Sequence, residues 1–205
     1  MNRARHPLLV LAATLPLACG CALTSKADAL DVHYFTPEGR TGASGSARSA
    51  SKAPMAGPEL RLGKISSGAN LRERIMYREH THEIGYYDGR RWAERPELFV
   101  ERALVRSLFD ERALARVVSG SAPTLDVDVV AFEEVRLPGR HAARVELRMV
   151  LSDERSVLAE GTYAAERPVS GEGFDAVVAA MGEALDAAVA DVARRTDAVL
   201  RAGPR

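Results

Sequence analysis

The sequence predicts an α+β fold: a mainly antiparallel sheet with two helices packed on one face, preceded by a lipoprotein signal peptide. Three observations predict it. Between residues 125 and 166, apolar and polar residues alternate in three successive runs, as expected of antiparallel strands with one wet face. Pro96–Glu111 and Phe174 to about Leu200 instead repeat apolar residues at spacings of three and four, as amphipathic helices do. The first residues have the layout of an export signal that ends at a cysteine.

That signal has a positive start at Arg3 and Arg5, then an apolar run from Leu8 to Ala18. The run is too short for a bilayer span, which takes roughly 20 apolar residues. Small residues precede a cysteine after Leu and Ala, as in a bacterial lipobox. Two cysteines compete. Cys21 has Gly20 before it and Ala18 three positions back, whereas Cys19 has Ala18 before it but Pro16 three back. Cys21 is therefore the preferred lipidation site. Each buried CH₂ contributes about 0.8 kcal/mol, so two or three acyl chains anchor where one would not. The plain alternatives are an ordinary signal peptide with incidental cysteines, or an uncleaved anchor. The expected organisation is a signal peptide over 1–20, a tether over 21–31, one domain over 32–200 with a flexible loop at 39–58, and a tail at 201–205.

Composition sets bounds. The 205 residues allow one domain after the export segment. Hydrophobic residues at 46% and charged residues at 27% fit a soluble globular body. Removal of residues 1–20 takes Arg3 and Arg5 and no acid, which leaves 26 basic against 28 acidic residues. No basic excess points to nucleic acid. Both cysteines lie in the export segment, so the body has no disulfide and no thiolate metal site.

The elements follow in order. Val32, Tyr34 and Phe35 suit a first strand, ended by Pro37 and Gly39. Gly39 to Pro58 holds no aromatic residue and too little apolar area to offset its ordering entropy, hence the loop. Glu59–Ser66 alternates, with Leu60 and Leu62 inward. Arg74–Arg78 and Glu83–Tyr87 form a hairpin across His80-Thr81-His82. Asp88–Pro96 reads as a turn and a helix start, with Pro96 in the first turn, where its missing N–H is not needed. Helix one, Pro96 to Glu111, carries Val100, Leu104 and Leu108 on one stripe, flanked by Phe99 and Ala103, with Glu101, Arg102 and Arg106 toward water. Residues 113–118 are a short apolar run. In the meander the polarity switches face near Val130 and Phe132, which signals a bulge or a strand covered on both faces. Pro138-Gly139 and Ser152-Asp153-Glu154 turn the chain. The closing helix sets Phe174, Val178, Met181, Leu185, Ala188 and Val192 on one stripe and is about 40 Å long, more than one small sheet covers.

Chemistry-bearing groups are weak signals. His80-x-His82 lacks a third ligand and reads as a solvated hairpin tip. Asp126 and Asp128 share a strand face and read as its wet side rather than an acid–base pair. No Gly-x-Ser-x-Gly, phosphate-loop or dinucleotide glycine pattern occurs. No catalytic residue, metal ligand or cofactor is expected. The run Tyr86-Tyr87-Asp88-Gly89-Arg90-Arg91-Trp92 holds the only tryptophan among residue types enriched at interaction hot spots. The structural reading of Trp92 and Tyr87 is that they pin helix one to the sheet.

These residues carry a resemblance. Leu71–Arg78 with Tyr77, then Glu83–Asp88 with Tyr87, then Arg91-Trp92-Ala93-Glu94-Arg95-Pro96, resemble the core signature of the ABC-type transport auxiliary lipoprotein family. The lipobox and the two helices fit the same order, and the resemblance covers most of residues 20–195. The tract from Gly39 to Pro58 is longer than the family usually has. The resemblance implies a non-enzymatic outer-membrane lipoprotein that faces the periplasm. It implies a role beside an ABC transporter with a mammalian-cell-entry (MCE) substrate-binding subunit that moves phospholipid or another hydrophobic molecule between membranes. Tyr77, Tyr87, Arg91 and Trp92 would be signature or partner-binding residues, and Cys21 the lipidation site. Ala22 is not Asp, so the inner-membrane retention signal is missing. The implied partners are the membrane through N-terminal acyl chains, the MCE subunit and further copies of the chain. A periplasmic protein that itself carries a hydrophobic ligand is the alternative; it requires an apolar cavity between the sheet and the long helix.

Overall fold

The longest strand, Thr124–Leu137 (β6), decides how the remainder is arranged. The computed structural model describes residues 30–37 and 57–203. Cys19, Cys21, the signal peptide, nearly all of the tether and most of the 39–58 loop lie outside the described residues. The strands are His33–Phe35 (β1), Glu59–Ser67 (β2), Arg74–Arg78 (β3), Ile84–Trp92 (β4), Ala115–Arg116 (β5), β6, Arg140–Ser152 (β7) and Val157–Pro168 (β8). The helices are Pro96–Val105 (α1), continued by a π-helical turn over Arg106–Glu111, and Phe174–Ala202 (α2).

Strands β6, β7 and β8 form the expected antiparallel meander. The other edge of β6 is divided: β2 pairs with its first half and β3 with its second, both parallel. Beyond β3 come β4, antiparallel, and β1, parallel to β4. The sheet is therefore mixed, not mainly antiparallel. The alternation pattern detects a half-buried strand but carries no information on its partner's direction. β1 accordingly joins the far edge at β4 instead of preceding β2. The division occurs at a register shift between Val129 and Ala131, the bulge anticipated from the change of polarity.

The core lies between one sheet face and the helices. Leu125, Val127 and Val129 of β6 and Val145, Leu147, Met149 and Leu151 of β7 point into it, each at most 2% exposed. In α1, Val100, Leu104 and Leu108 are fully buried, as their spacing predicts. The π-helical turn widens the helix so that Ser107, Leu108 and Phe109 are all buried. Its end is marked by Ala113 at φ 55° and by Leu114 N–H donating to the Leu108 carbonyl at 3.1 Å. Arg106 does not simply face water; it reaches Asp186 of α2 at 2.7 Å.

In α2 the buried stripe is Val177, Met181, Ala184, Leu185, Ala188, Val189 and Val192; Phe174 and Val178 lie at its margin, half-buried. Residues Arg201 and Ala202, expected in a tail, are helical. Ala180, Ala184 and Ala188 let the helix backbone approach the sheet closely. Ala184→Leu retains helix propensity but inserts methylenes into filled space. It should cost about 1–3 kcal/mol, read as a fall in urea midpoint at constant m-value; an unchanged midpoint would contradict this packing.

Candidate functional site

The second half of β6 carries charge into the interior. Ala131 to Val135 are all buried, including Glu133 at 0% and Glu134 at 2% exposure. Buried carboxylates need charged or hydrogen-bonding partners. Glu133 lies on the face away from the helices. Arg78 of β3 donates to both its oxygens at 3.0 and 3.1 Å, and Arg144 of β7 stands 3.7 Å away. Glu134 lies on the helix face. Tyr87 of β4 donates its hydroxyl to it at 2.5 Å, and Nε2 of His141 lies 2.7 Å from its other oxygen.

An aromatic and arginine cluster surrounds Glu134. The rings of Tyr77 and Tyr87 meet edge to face at 5.2 Å, and Phe174 at the start of α2 meets Tyr87 at 4.9 Å and Phe35 of β1 at 4.8 Å. Arg136 lies over Tyr77 at 3.6 Å, and Arg90 over Phe174 at 4.2 Å and Tyr87 at 4.7 Å. Each such cation–aromatic contact is worth about 0.5–2 kcal/mol. Tyr77 pairs across the ladder with Gly85, and its ring covers that residue; a Cβ there would enter the ring. Burial, then the hydrogen bond to Glu134 and that carboxylate's charge, push the Tyr87 phenol up to about 12.

Strand β4 reaches Phe174 because it bulges. Met76 pairs with Tyr86 but Arg74 with Arg91, so β4 carries three extra residues over that interval. Arg91 braces this bulge, donating to the carbonyls of Tyr87 and Arg90, both at 2.8 Å. Asp88-Gly89 is thus part of the bulge, not the turn expected before helix one, and β4 runs on to Trp92. Gly89 is needed because the Asp31 carbonyl lies where a Cβ would project. Trp92, 1% exposed, sits apart in the core between Phe99 of α1 and Phe132 of β6.

The expected signature thus divides. Tyr77, Tyr87 and Arg91 meet at one end of the sheet. Trp92 pins α1, as the structural reading held, whereas Tyr87 packs on α2. Asp126 accepts the Lys64 N–H at 2.6 Å and Asp128 the Ser66 hydroxyl at 3.0 Å, which ties β2 to β6. His80 lies 3.8 Å from Glu83 at the exposed hairpin tip, where His82 is also exposed. Among the described residues no group of three or more His, Cys, Asp or Glu side chains is placed to hold a metal. Sequence reasoning missed Glu133, Glu134, Arg136 and His141, and it set Phe174 on the helix stripe rather than in this cluster. The available signal was the pair of glutamates inside a strand whose polarity had already lost its alternation.

A second feature lies at the other end of β6. A groove of about 640 Å³ runs between the last turns of α2 and the start of β8, with Val157, Leu158, Val199 and Leu200 in its lining and Arg195 and Asp153 beside them.

Comparison with known proteins adds the following. The family model described as ABC-type transport auxiliary lipoprotein component matches residues 43–193. A crystal structure of a DUF330 protein from Xanthomonas campestris is similar at 27% identity and TM-score 0.65, over 73% of this chain and 89% of that one. The crystal structure of an uncharacterized protein shares the fold at 16% identity and TM-score 0.60, over 68% and 92% of the two chains. A hypothetical protein from Chlamydia trachomatis does so at 9% identity and TM-score 0.53, over 72% and 100%. No curated protein matches the chain.

The raised phenol sets a pH dependence with a definite sign. A group whose folded pKa exceeds its unfolded value contributes stability that is complete below the unfolded value and lost above it. Tyr87 therefore contributes fully below about 10, the ordinary phenol value, and its contribution falls as pH rises toward about 12. Tyr87→Phe should flatten the alkaline fall in urea midpoint over that window. A fall as steep as in the parent protein would contradict the assignment.

Proposed function

From the premise that this chain belongs to the ABC-type transport auxiliary lipoprotein component family, we propose that it is a non-enzymatic docking component of an MCE-type system. It is anchored through acyl chains on Cys21 to the outer membrane, faces the periplasm, and stabilises the assembly that moves lipid between membranes. The family match carries the coarser part, that the chain is an auxiliary lipoprotein of ABC-type transport. No helix among the described residues is long and apolar enough to cross a membrane. Ala22 after Cys21 supports the outer membrane. The packed core supports docking over carrying: the space between the middle of α2 and the sheet is filled by Met181, Ala184, Leu185 and Ala188 against Leu147 and Met149.

A second reading, a protein that itself binds a hydrophobic ligand, is favoured by one observation, the groove between α2 and β8.

Radiolabelled palmitate should enter the parent protein and not Cys21→Ser. Cross-linking in cells should capture an MCE subunit with the parent and fail with the unanchored variant. Palmitate incorporation that persists in Cys21→Ser contradicts Cys21 as the anchor. An anchored protein that captures no MCE subunit contradicts docking.

A further inference from the structure

The groove at the end of α2 differs from an ordinary surface depression in two respects. Its lining includes large apolar side chains that are left partly in water: Val157 is 58% exposed, and Leu158, Val199 and Leu200 are half-buried. Its volume, about 640 Å³, is that of a ligand site, commonly about 300–1,000 Å³.

The charges beside the apolar lining are unequal. Asp153 stays ionised but has its own donors: the N–H groups of Arg155 and Ser156 donate to it at 2.8 and 2.7 Å, and these bonds hold its carboxyl below the usual range. Two neighbouring arginines are paired, Arg194 with Asp191 at 2.6 Å and Arg201 with Asp197 at 2.7 Å. Arg195 lines the groove, is exposed, and has no acidic partner among the described residues. Apolar side chains beside one guanidinium that no carboxylate pairs match a ligand with one hydrocarbon chain and one anionic head placed on Arg195, away from Asp153. Carboxylate and phosphate both accept from guanidinium in a fork geometry.

We propose that this groove binds a single-chain anionic amphiphile, its chain over Leu158, Val199 and Leu200 and its head on Arg195. The inference rests on the carrier reading and gives that reading a ligand class. Docking is tested separately, by Cys21 and by cross-linking to the MCE subunit, so either can fail alone.

The test uses the full acylated chain in phosphatidylcholine vesicles, with three photoreactive probes: palmitate, a lysophospholipid with a free phosphate, and the uncharged palmityl alcohol. Labelling is mapped on tryptic peptides. The anionic probes should label the tryptic peptides Ser156–Arg194 (the Arg167–Pro168 bond resists trypsin), with fragmentation placing the adducts before Pro168, and Thr196–Arg201 about tenfold more than the alcohol does, as loss of one charged hydrogen bond implies. Arg195→Glu should remove that preference and Arg195→Lys should keep most of it, with the thermal midpoint unchanged in both. Labelling by palmitate alone identifies a fatty acid source, and labelling by the phosphate probe a phospholipid source; either supports the proposal. Equal labelling by the alcohol, an anionic preference intact in Arg195→Glu, or adducts confined to other peptides would overturn it. So would capture of a protein segment in place of lipid by a photoreactive residue at position 158.

Discussion

The fold depends on how the β3–β4–β1 branch is held to β6. The ladder between β3 and β6 is only three residue pairs long, from Met76–Glu133 to Arg78–Val135. So short a ladder, at the point where the sheet divides, cannot by itself fix the branch. Ile75, Met76 and Trp92 of the branch add core packing, and the adjacent glutamates add a polar clamp. Because neighbouring residues of a strand point to opposite faces, Glu133 binds Arg78 on one side and Glu134 binds Tyr87 on the other. Each also reaches β7, through Arg144 and His141. The branch is therefore clamped from both faces to the best-paired strands of the sheet. Burial of two carboxylates is unfavourable in isolation, but removal of one partner of such a pair typically costs about 3–5 kcal/mol.

Much of this was legible in the sequence, and the parts that were not share a cause. Periodicity located the meander, the Arg74–Arg78 strand, the stripe Val100–Leu104–Leu108 and the bulge near Val130, because each is a local pattern of burial. Partner direction is not local. The parallel pairing of β2 and β3 with β6, and of β1 with β4, left no mark in alternation. The β4 bulge was read as a turn because Asp88-Gly89 is also turn chemistry. Nothing in local composition separates a chain that reverses from one that bulges around a neighbouring strand. Tyr77, Tyr87 and Trp92 were recognisable as notable residues, yet their division between two clusters follows from tertiary pairing alone.

The same geometry organises the functional account. β1 is the first described strand and follows the tether directly in sequence, and its pairing with β4 sets it on the clamped branch. Phe35 of β1, Tyr87 of β4 and Phe174 of α2 form one aromatic row, so the branch is also keyed to the start of the long helix. The aromatic and arginine residues that single out this chain in sequence are mostly committed to its architecture. Contact with a partner can reuse them only where they reach the surface, as the half-buried Arg90 and Tyr87 do.

Native-state hydrogen exchange on Glu133→Gln measures this clamp directly, because it reads each strand separately. Loss of the charge that holds Arg78 should speed exchange of the β3 and β4 amides by at least about tenfold while β7 and β8 keep their protection. If β3 and β4 exchange at parental rates, or if all strands lose protection together, the branch is held by something other than its buried glutamates.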